Sequence, residues 1–321
     1  MPKAIRRPRK RFIKKGKSKI KLINEAEIKA LIYLLDDTDD DVVNQVEQRL
    51  FQLGPDIIPS LEQSYETSEI NELRQKRVDE IIKKIQSYYT LEELKKWKDT
   101  NQNDLLEGAL IINKLKYPEI DRQYFENILN KIKLDVWLEL NYDLTSFDKI
   151  KILNYIFFDV HRFTGDNEDY HNPDNSYLSK VFERKKGNPI SLAIIYSIVA
   201  QRLQLPVFGV NLPQHFIVGY LDENTEVKPV KLNQTNFLVP NANSPVQFYI
   251  NPFNKGSVFP KENLFVFLKQ VNIEPKDEYF LPCKNIEIIK RMVRNLHSSY
   301  EKLKNNRMVH QCELMTEVLE K

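Results

Sequence analysis

The sequence predicts an α+β protein, and three observations carry that reading. Apolar residues recur at helical spacing through the stretch 24–137. A helix that is apolar almost all round follows at Pro189–Leu203. Strand-like runs separated by turn signals come directly after it. Hydrophobic residues make up 41% of the 321 positions, enough to bury a core. That length calls for one large unit or two to three small ones. With 8 Gly and 2 Cys, collagen-like and disulfide-stapled designs are excluded. Cys283 and Cys312 read as free thiols of a reducing compartment, with one bridge as the alternative.

Charge divides the chain unevenly. Eleven of the 48 Lys and Arg fall in residues 1–21, which hold no acid, leaving 37 against 45 acids and a formal charge of −8 for the rest. With little to pack besides Ile5, Phe12 and Ile13, residues 1–22 are expected to form a disordered basic tail. Arg6, Arg7, Arg9, Lys10, Arg11, Lys14 and Lys15 are its polyanion-binding candidates, acting by counterion release on RNA, DNA or an anionic surface. Phe12 alone makes no base-stacking platform, so nucleic-acid binding would be nonspecific; the other reading is a solubilising tail. No apolar segment follows the charges as in a secretory signal, and no run approaches a membrane span. The expected location is the cytoplasm.

Residues 23–140 read as a helical subdomain. Asn24 is placed to cap a first helix bearing Ile28, Leu31, Ile32 and Leu35. Asp36–Asp41 turns the chain and puts acids on the first turn of the next helix, where the dipole favours them; a calcium loop would need a central Gly. Val42, Val43, Val46, Leu50 and Leu53 line that second helix, Gly54-Pro55 stops it, and Ile57, Ile58 and Leu61 mark a third. The pairing of two helices about an acidic turn is HEAT-like, with one clear copy. Separate helical patterns follow at Ile70–Tyr88, Leu91–Trp97, Leu105–Leu115 and Tyr124–Trp137, with Trp97 and Trp137 expected in the core.

The chemistry-bearing stretch lies in 141–272. An amphipathic helix at Phe147–Phe163 leads into a loop with Asp166, Glu168, Asp169, His171 and Asp174, whose spacing matches no metal-ligand pattern and suits caps and Asx-turns. A short helix, Tyr177–Arg184, ends at Gly187; Asn188 caps the next helix and Pro189 opens it. Strands are expected at Val207–Asn211, Phe216–Leu221, Val227–Leu232 and Phe248–Ile250. His215 sits at a strand start and Asn251 at a strand end. Helix start, strand His, strand Asn is the order of papain-like thiol enzymes, in which His deprotonates a Cys at the helix start and the third residue orients the imidazole.

The strings NPDNSYLSKVFERKKGNPISLAIIYSIVAQRLQLPVFGVNLPQHFIVGY and YINPFNKGSVF resemble the SirB-type transglutaminase-like family of bacteria, with related domains in some F-box proteins. The resemblance covers roughly 147–260 and implies a papain-like/transglutaminase-like core flanked by helices. It puts His215 at the catalytic His position and Asn251 where many members have Asp. The Cys position falls at Pro189, no Cys lies nearby, and the family generally lacks that Cys. Ser191, two residues further on, is the one hydroxyl near the slot and reads either as a nucleophile or as a backbone hydrogen-bonder. Asn188, Pro189 and Gln214 are expected to line the cleft. Residues 273–321 should form a tetratricopeptide-like helical hairpin, Asn285–Lys304 and Arg307–Leu319.

The resulting expectation is a transglutaminase-like protein without thiol catalysis, without metal or cofactor, that binds a protein or peptide partner. The alternatives are an amide or ester hydrolase using Ser191, His215 and Asn251, and a nucleic-acid-associated protein acting through residues 1–21.

Overall fold

The structure, a computed structural model, describes residues 25–63, 72–222, 228–232, 235–239 and 245–321. The basic tail, the expected Asn24 cap, the Ile70 helix start and the turns at 223–225 and 241–244 lie outside those residues. The chain divides into two compact units, Met1–Ile85 and Gln86–Lys321.

The first unit holds α1 (Glu25–Tyr33), α2 (Asp40–Leu53), α3 (Ile58–Gln63) and the beginning of α4 (Glu72–Thr100). Asp39 caps α2 by accepting from the Asp41 amide, as the acidic turn suggests. Ile28, Ile32, Leu35, Val43, Val46, Leu50, Ile57 and Leu61 are buried, so the apolar stripes read from the sequence do face inward. The two patterns expected at 70–88 and 91–97 are one continuous helix of 29 residues. No Gly or Pro separates them, and Tyr89 and Thr90, which lie between the two patterns, both adopt helical backbone.

The second unit contains α5 (Leu105–Asn113), α6 (Arg122–Glu139) and α7 (Ser146–Asn154), which continues as a π-helical turn through Val160. A two-residue parallel bridge joins β1 (Thr164–Gly165) to β2 (Lys186–Gly187), with α8 (Leu178–Arg184) between them. Then come α9 (Pro189–Arg202), β3 (Val207–Val210), β4 (Ile217–Leu221), β5 (Lys228–Leu232), β6 (Thr235–Val239), β7 (Val246–Asn251), β8 (Ser257–Phe259), α10 (Lys261–Gln270), α11 (Asn285–Lys302) and α12 (Asn306–Glu320). β3, β4, β7 and β8 form one antiparallel sheet in that order, while β5 and β6 pair separately. β6 and β8 are absent from the sequence-based expectation: one is short on apolar alternation and the other is three residues long.

Side-chain alternation explains how the sheet is held. Val207, Val218, Tyr220 and Ile250 point into the large core with α9, and the intervening Val210, Ile217 and Tyr249 pack with Leu264 and Leu268 of α10. Both faces are therefore covered, which is why β3 and β4 read as unbroken apolar runs. α9 is buried from Pro189 to Ala200, as its all-round apolar pattern requires. α5, α6, α11 and α12 contribute to the same core, so the boundaries expected at 140 and 272 fall inside the second unit.

One core expectation needs correction. Trp97 is buried and its indole N–H donates to the Asp104 carbonyl at 2.8 Å, but Trp137 is 60% exposed. On α6 the buried stripe is Phe125, Leu129, Ile132 and Val136, and Trp137 is one residue past it. Cys283 precedes α11, and its amide donates to the Gly209 carbonyl at 2.8 Å; both cysteines are free thiols. Among the described residues no helix is long and apolar enough to cross a membrane.

Candidate functional site

The start of α9 is a closed hydrogen-bond network. Asn188 Oδ1 accepts from the Ser191 amide at 3.0 Å, and the Ser191 hydroxyl accepts in turn from the Asn188 amide at 3.1 Å, a capping box. The same hydroxyl donates to the Asn175 carbonyl at 2.6 Å, and Asn188 Nδ2 donates to Ser176 Oγ at 2.7 Å. Asn175 Nδ2 donates to the Asp169 carbonyl, and Arg184 bridges Asn175 Oδ1 and Asp166 Oδ2. Asp166 is 3% exposed. Burial would raise its pKa, but the Asp169 amide and the Arg184 guanidinium outweigh burial and hold the carboxyl below its ordinary value. The NS and GNPIS motifs thus tie the 164–176 loop to the helix start.

That network leaves no nucleophile in the slot. Pro189 is buried and carries neither a side-chain nucleophile nor an N–H. Ser191 is fully buried, and its hydroxyl is used by Asn175 and Asn188; no hydrogen bond joins it to His215 among the described residues. The remaining acids of the loop disperse into pairs: Glu168 with Lys186, Asp169 with Asn172, Asp174 with Lys116 and Tyr117. His171 meets Lys302, and no group of metal-binding side chains forms among the described residues.

His215 and Asn251 do come together. His215 is half-buried, two residues before β4, and Asn251 ends β7, the strand paired with β4. Asn251 Nδ2 and His215 Nε2 are 3.1 Å apart. The amide's orientation follows from its other partners: Oδ1 accepts from the backbone amides of Phe253 and Asn254 at 3.1 and 3.3 Å. An amide nitrogen only donates, so Nε2 is the acceptor and the neutral ring carries its proton on Nδ1. A base working through Nδ1 needs the reverse, with the proton on Nε2 and an acceptor facing it.

Burial pushes the His215 imidazole below its ordinary pKa. The Asn251 contact opposes that shift, and the Arg291 guanidinium adds to it. Gln214, in the turn before His215, is exposed and held at a left-handed φ of 61°. Around the pair stand three residues that the sequence reading did not single out. Phe267 lies 6.2 Å from the His215 ring, and Tyr170 meets Phe253 edge-on at 5.7 Å. Arg291 of α11 donates from Nη1 to Leu212 O and Asn211 Oδ1 at 3.1 and 3.2 Å. A half-buried Arg at the edge of an otherwise apolar stripe, Ile288–Val293, was the available signal.

A buried helix start, then a His just before one strand and an Asn at the end of its neighbour, is the order of a papain-like core, and the sequence model of the transglutaminase-like superfamily matches residues 123–294, more than half of the 321. The chain belongs to that superfamily. Within it, the relatives are of the SirB type. A UPF0162 protein of Xylella fastidiosa is 31% identical over 202 residues, covering 61% of this chain and 64% of that protein, less than two thirds of its length. Protein SirB1 of Salmonella typhimurium is 25% identical over 203 residues, 62% of this chain and 67% of that one. F-box only protein 21 of Mus musculus is 39% identical over 68 residues, 21% of this chain and 11% of that one. No solved structure matches.

Proposed function

We propose that the transglutaminase-like domain of this chain binds a protein or peptide in its cleft and performs no thiol or serine chemistry there. The observation that carries the reading is the polarity of the His215–Asn251 contact: Nδ2 donates to Nε2, which leaves a proton on the nitrogen a base would need free. Pro189 in the nucleophile slot and the Ser191 hydroxyl spent on Asn175 and Asn188 support it. The hydrolase reading would need Ser191 to abandon two buried hydrogen bonds and the imidazole to change tautomer. Labelling of the full chain with a serine-reactive fluorophosphonate, comparing wild type, Ser191→Ala and His215→Ala, tests it. No labelling of wild type above the mutants is expected. Labelling of wild type that disappears in both variants would overturn the binding reading.

A second reading concerns residues 1–21, whose eleven cations and absent acids favour nonspecific polyanion binding. Its test is a salt titration with and without the tail. A steep loss of nucleic-acid affinity with salt in the full chain, absent after truncation, is expected; salt-independent binding would refute it.

A further inference from the structure

We propose that the cleft takes a carboxylate, presented by a peptide, between the guanidinium of Arg291 and the Nδ1–H of His215. This deepens the binding reading above and rests on it.

Arg291 is an unusual cation in this unit. The other half-buried arginines there each hold a carboxylate: Arg122 that of Asp104 at 2.9 Å, Arg184 that of Asp166 at 2.6 Å, and Arg202 that of Glu126 at 2.8 Å. Among the described residues Arg291 meets only neutral acceptors, the Leu212 carbonyl and the Asn211 side chain, both at Nη1. Taking a guanidinium partly out of water without a counter-charge is unfavourable. Burial, then Arg294, lowers its pKa, with Tyr170 opposing, the direction expected of a cation short of an anion.

The neighbours complete a ring. Leu212 and Asn211, which hold the guanidinium, lie three and four residues before His215. His215 is hydrogen-bonded to Asn251, and Asn251 Oδ1 is held by the Phe253 amide. Phe253 meets the ring of Tyr170, and Tyr170 is within electrostatic reach of Arg291. Asn251 fixes the imidazole as a donor on the side away from itself, and Arg291 lies within electrostatic reach of that ring, so a charged and a neutral donor are close neighbours. Phe267, beside His215, and Tyr170, 42% exposed, supply ring faces for peptide groups next to the anion. One guanidinium opposite a ring held neutral balances a single negative charge. A planar monoanion fits that balance and the free part of the guanidinium fork, whereas a phosphate dianion would keep a charge unmatched.

The test follows ring and guanidinium proton–nitrogen NMR signals of His215 and Arg291 in the full chain. Three probes are titrated: N-acetyl-glycyl-phenylalanine with a free carboxylate, its C-terminal amide, and N-acetyl-glutamyl-phenylalanine amide. The expected result is a saturable shift of both residues with a carboxylate probe and none with the neutral amide. The first and third probes separate a chain end from an acidic side chain as the source. Arg291→Gln should abolish the response. Arg291→Lys, which keeps the charge and guards against misfolding, should weaken it about tenfold because the fork is lost. Equal binding of all three probes, or no effect of Arg291→Lys, would overturn the carboxylate inference while the binding reading stands. No shift with any probe up to its solubility limit would also overturn it. Cleavage of a probe would instead sink the binding reading.

Discussion

In the binding role proposed for this domain, the His215–Asn251 pair turns on which amide atom faces the ring. Had Oδ1 faced Nε2, the imidazole would be oriented as a base; with Nδ2 there it is a donor. Asn251→Asp replaces the donor by an acceptor, so the His215 pKa is expected to rise relative to wild type in an NMR titration; an unchanged value would count against the assignment. In the wild type the pKa is lowered from an ordinary 6.5, so the unfolded chain takes up the proton first as pH falls. The stability that His215 contributes is therefore full above about 6.5 and declines below it, towards the depressed folded value. His215→Phe should flatten that part of the stability curve. Ser191→Ala removes a buried hydroxyl with two partners and should cost about 1–3 kcal/mol in urea unfolding. The pairing of His215 with Asn251 was legible from the order helix start, strand His, strand Asn and from the family resemblance. Its polarity was not, because it depends on the amides of Phe253 and Asn254 turning back onto Oδ1, which no residue type announces. Arg291 escaped notice for a related reason: its lack of an acid is a property of three-dimensional neighbours.

Among the elements, the start of α9 shows how a recognisable motif serves the fold. At Gly187 the chain runs so close that an added Cβ would lie 2.6 Å from Ser191 Oγ and 3.1 Å from Val181. Gly187→Ala is expected to break the capping box and destabilise the unit by about 1–3 kcal/mol, read as a fall in the urea midpoint at unchanged m-value. Gly187 is not the helix terminator expected from the sequence: α8 ends at Arg184 with Lys185 in the left-handed conformation, and Gly187 lies in β2, where its close approach was not legible. Helices were readable where the apolar period was strong, as in α2, or where the run was apolar all round, as in α9. The division of α4 does not hold because Tyr89-Thr90, which separates the two patterns, contains no residue that stops a helix. Trp137 was misplaced by one residue of a stripe, which on a helix is a rotation of about 100°. Strand boundaries were found to within two residues where both sheet faces are buried, and β8, short and at the edge, was missed.

At the scale of the whole molecule, the C-terminal helices belong to the core and are no appendage. Ile288, Ile289, Met292, Val293 and Leu296 of α11 and Cys312, Met315 and Leu319 of α12 join the same apolar cluster as α9 and the sheet. The Tyr300 hydroxyl meets that of Tyr177 at 2.8 Å in the interior. Deleting residues 273–321 should therefore unfold the second unit cooperatively, seen as loss of its thermal transition; a truncated chain with an intact transition would contradict this. Burial pushes both thiols, Cys283 and Cys312, up to about 12, so at pH 8 only about one in ten thousand is thiolate. Neither should react with iodoacetamide until the unit unfolds.

The most direct measurement is the tautomer and pKa of the His215 ring, from long-range proton–nitrogen NMR across about pH 5–8 in the full chain. The expected result is an unprotonated Nε2, a protonated Nδ1 and a pKa below 6.5. A protonated Nε2 in the neutral ring, or a pKa at or above 6.5, would mean that Asn251 accepts from the imidazole and that His215 is poised as a base, contradicting the account.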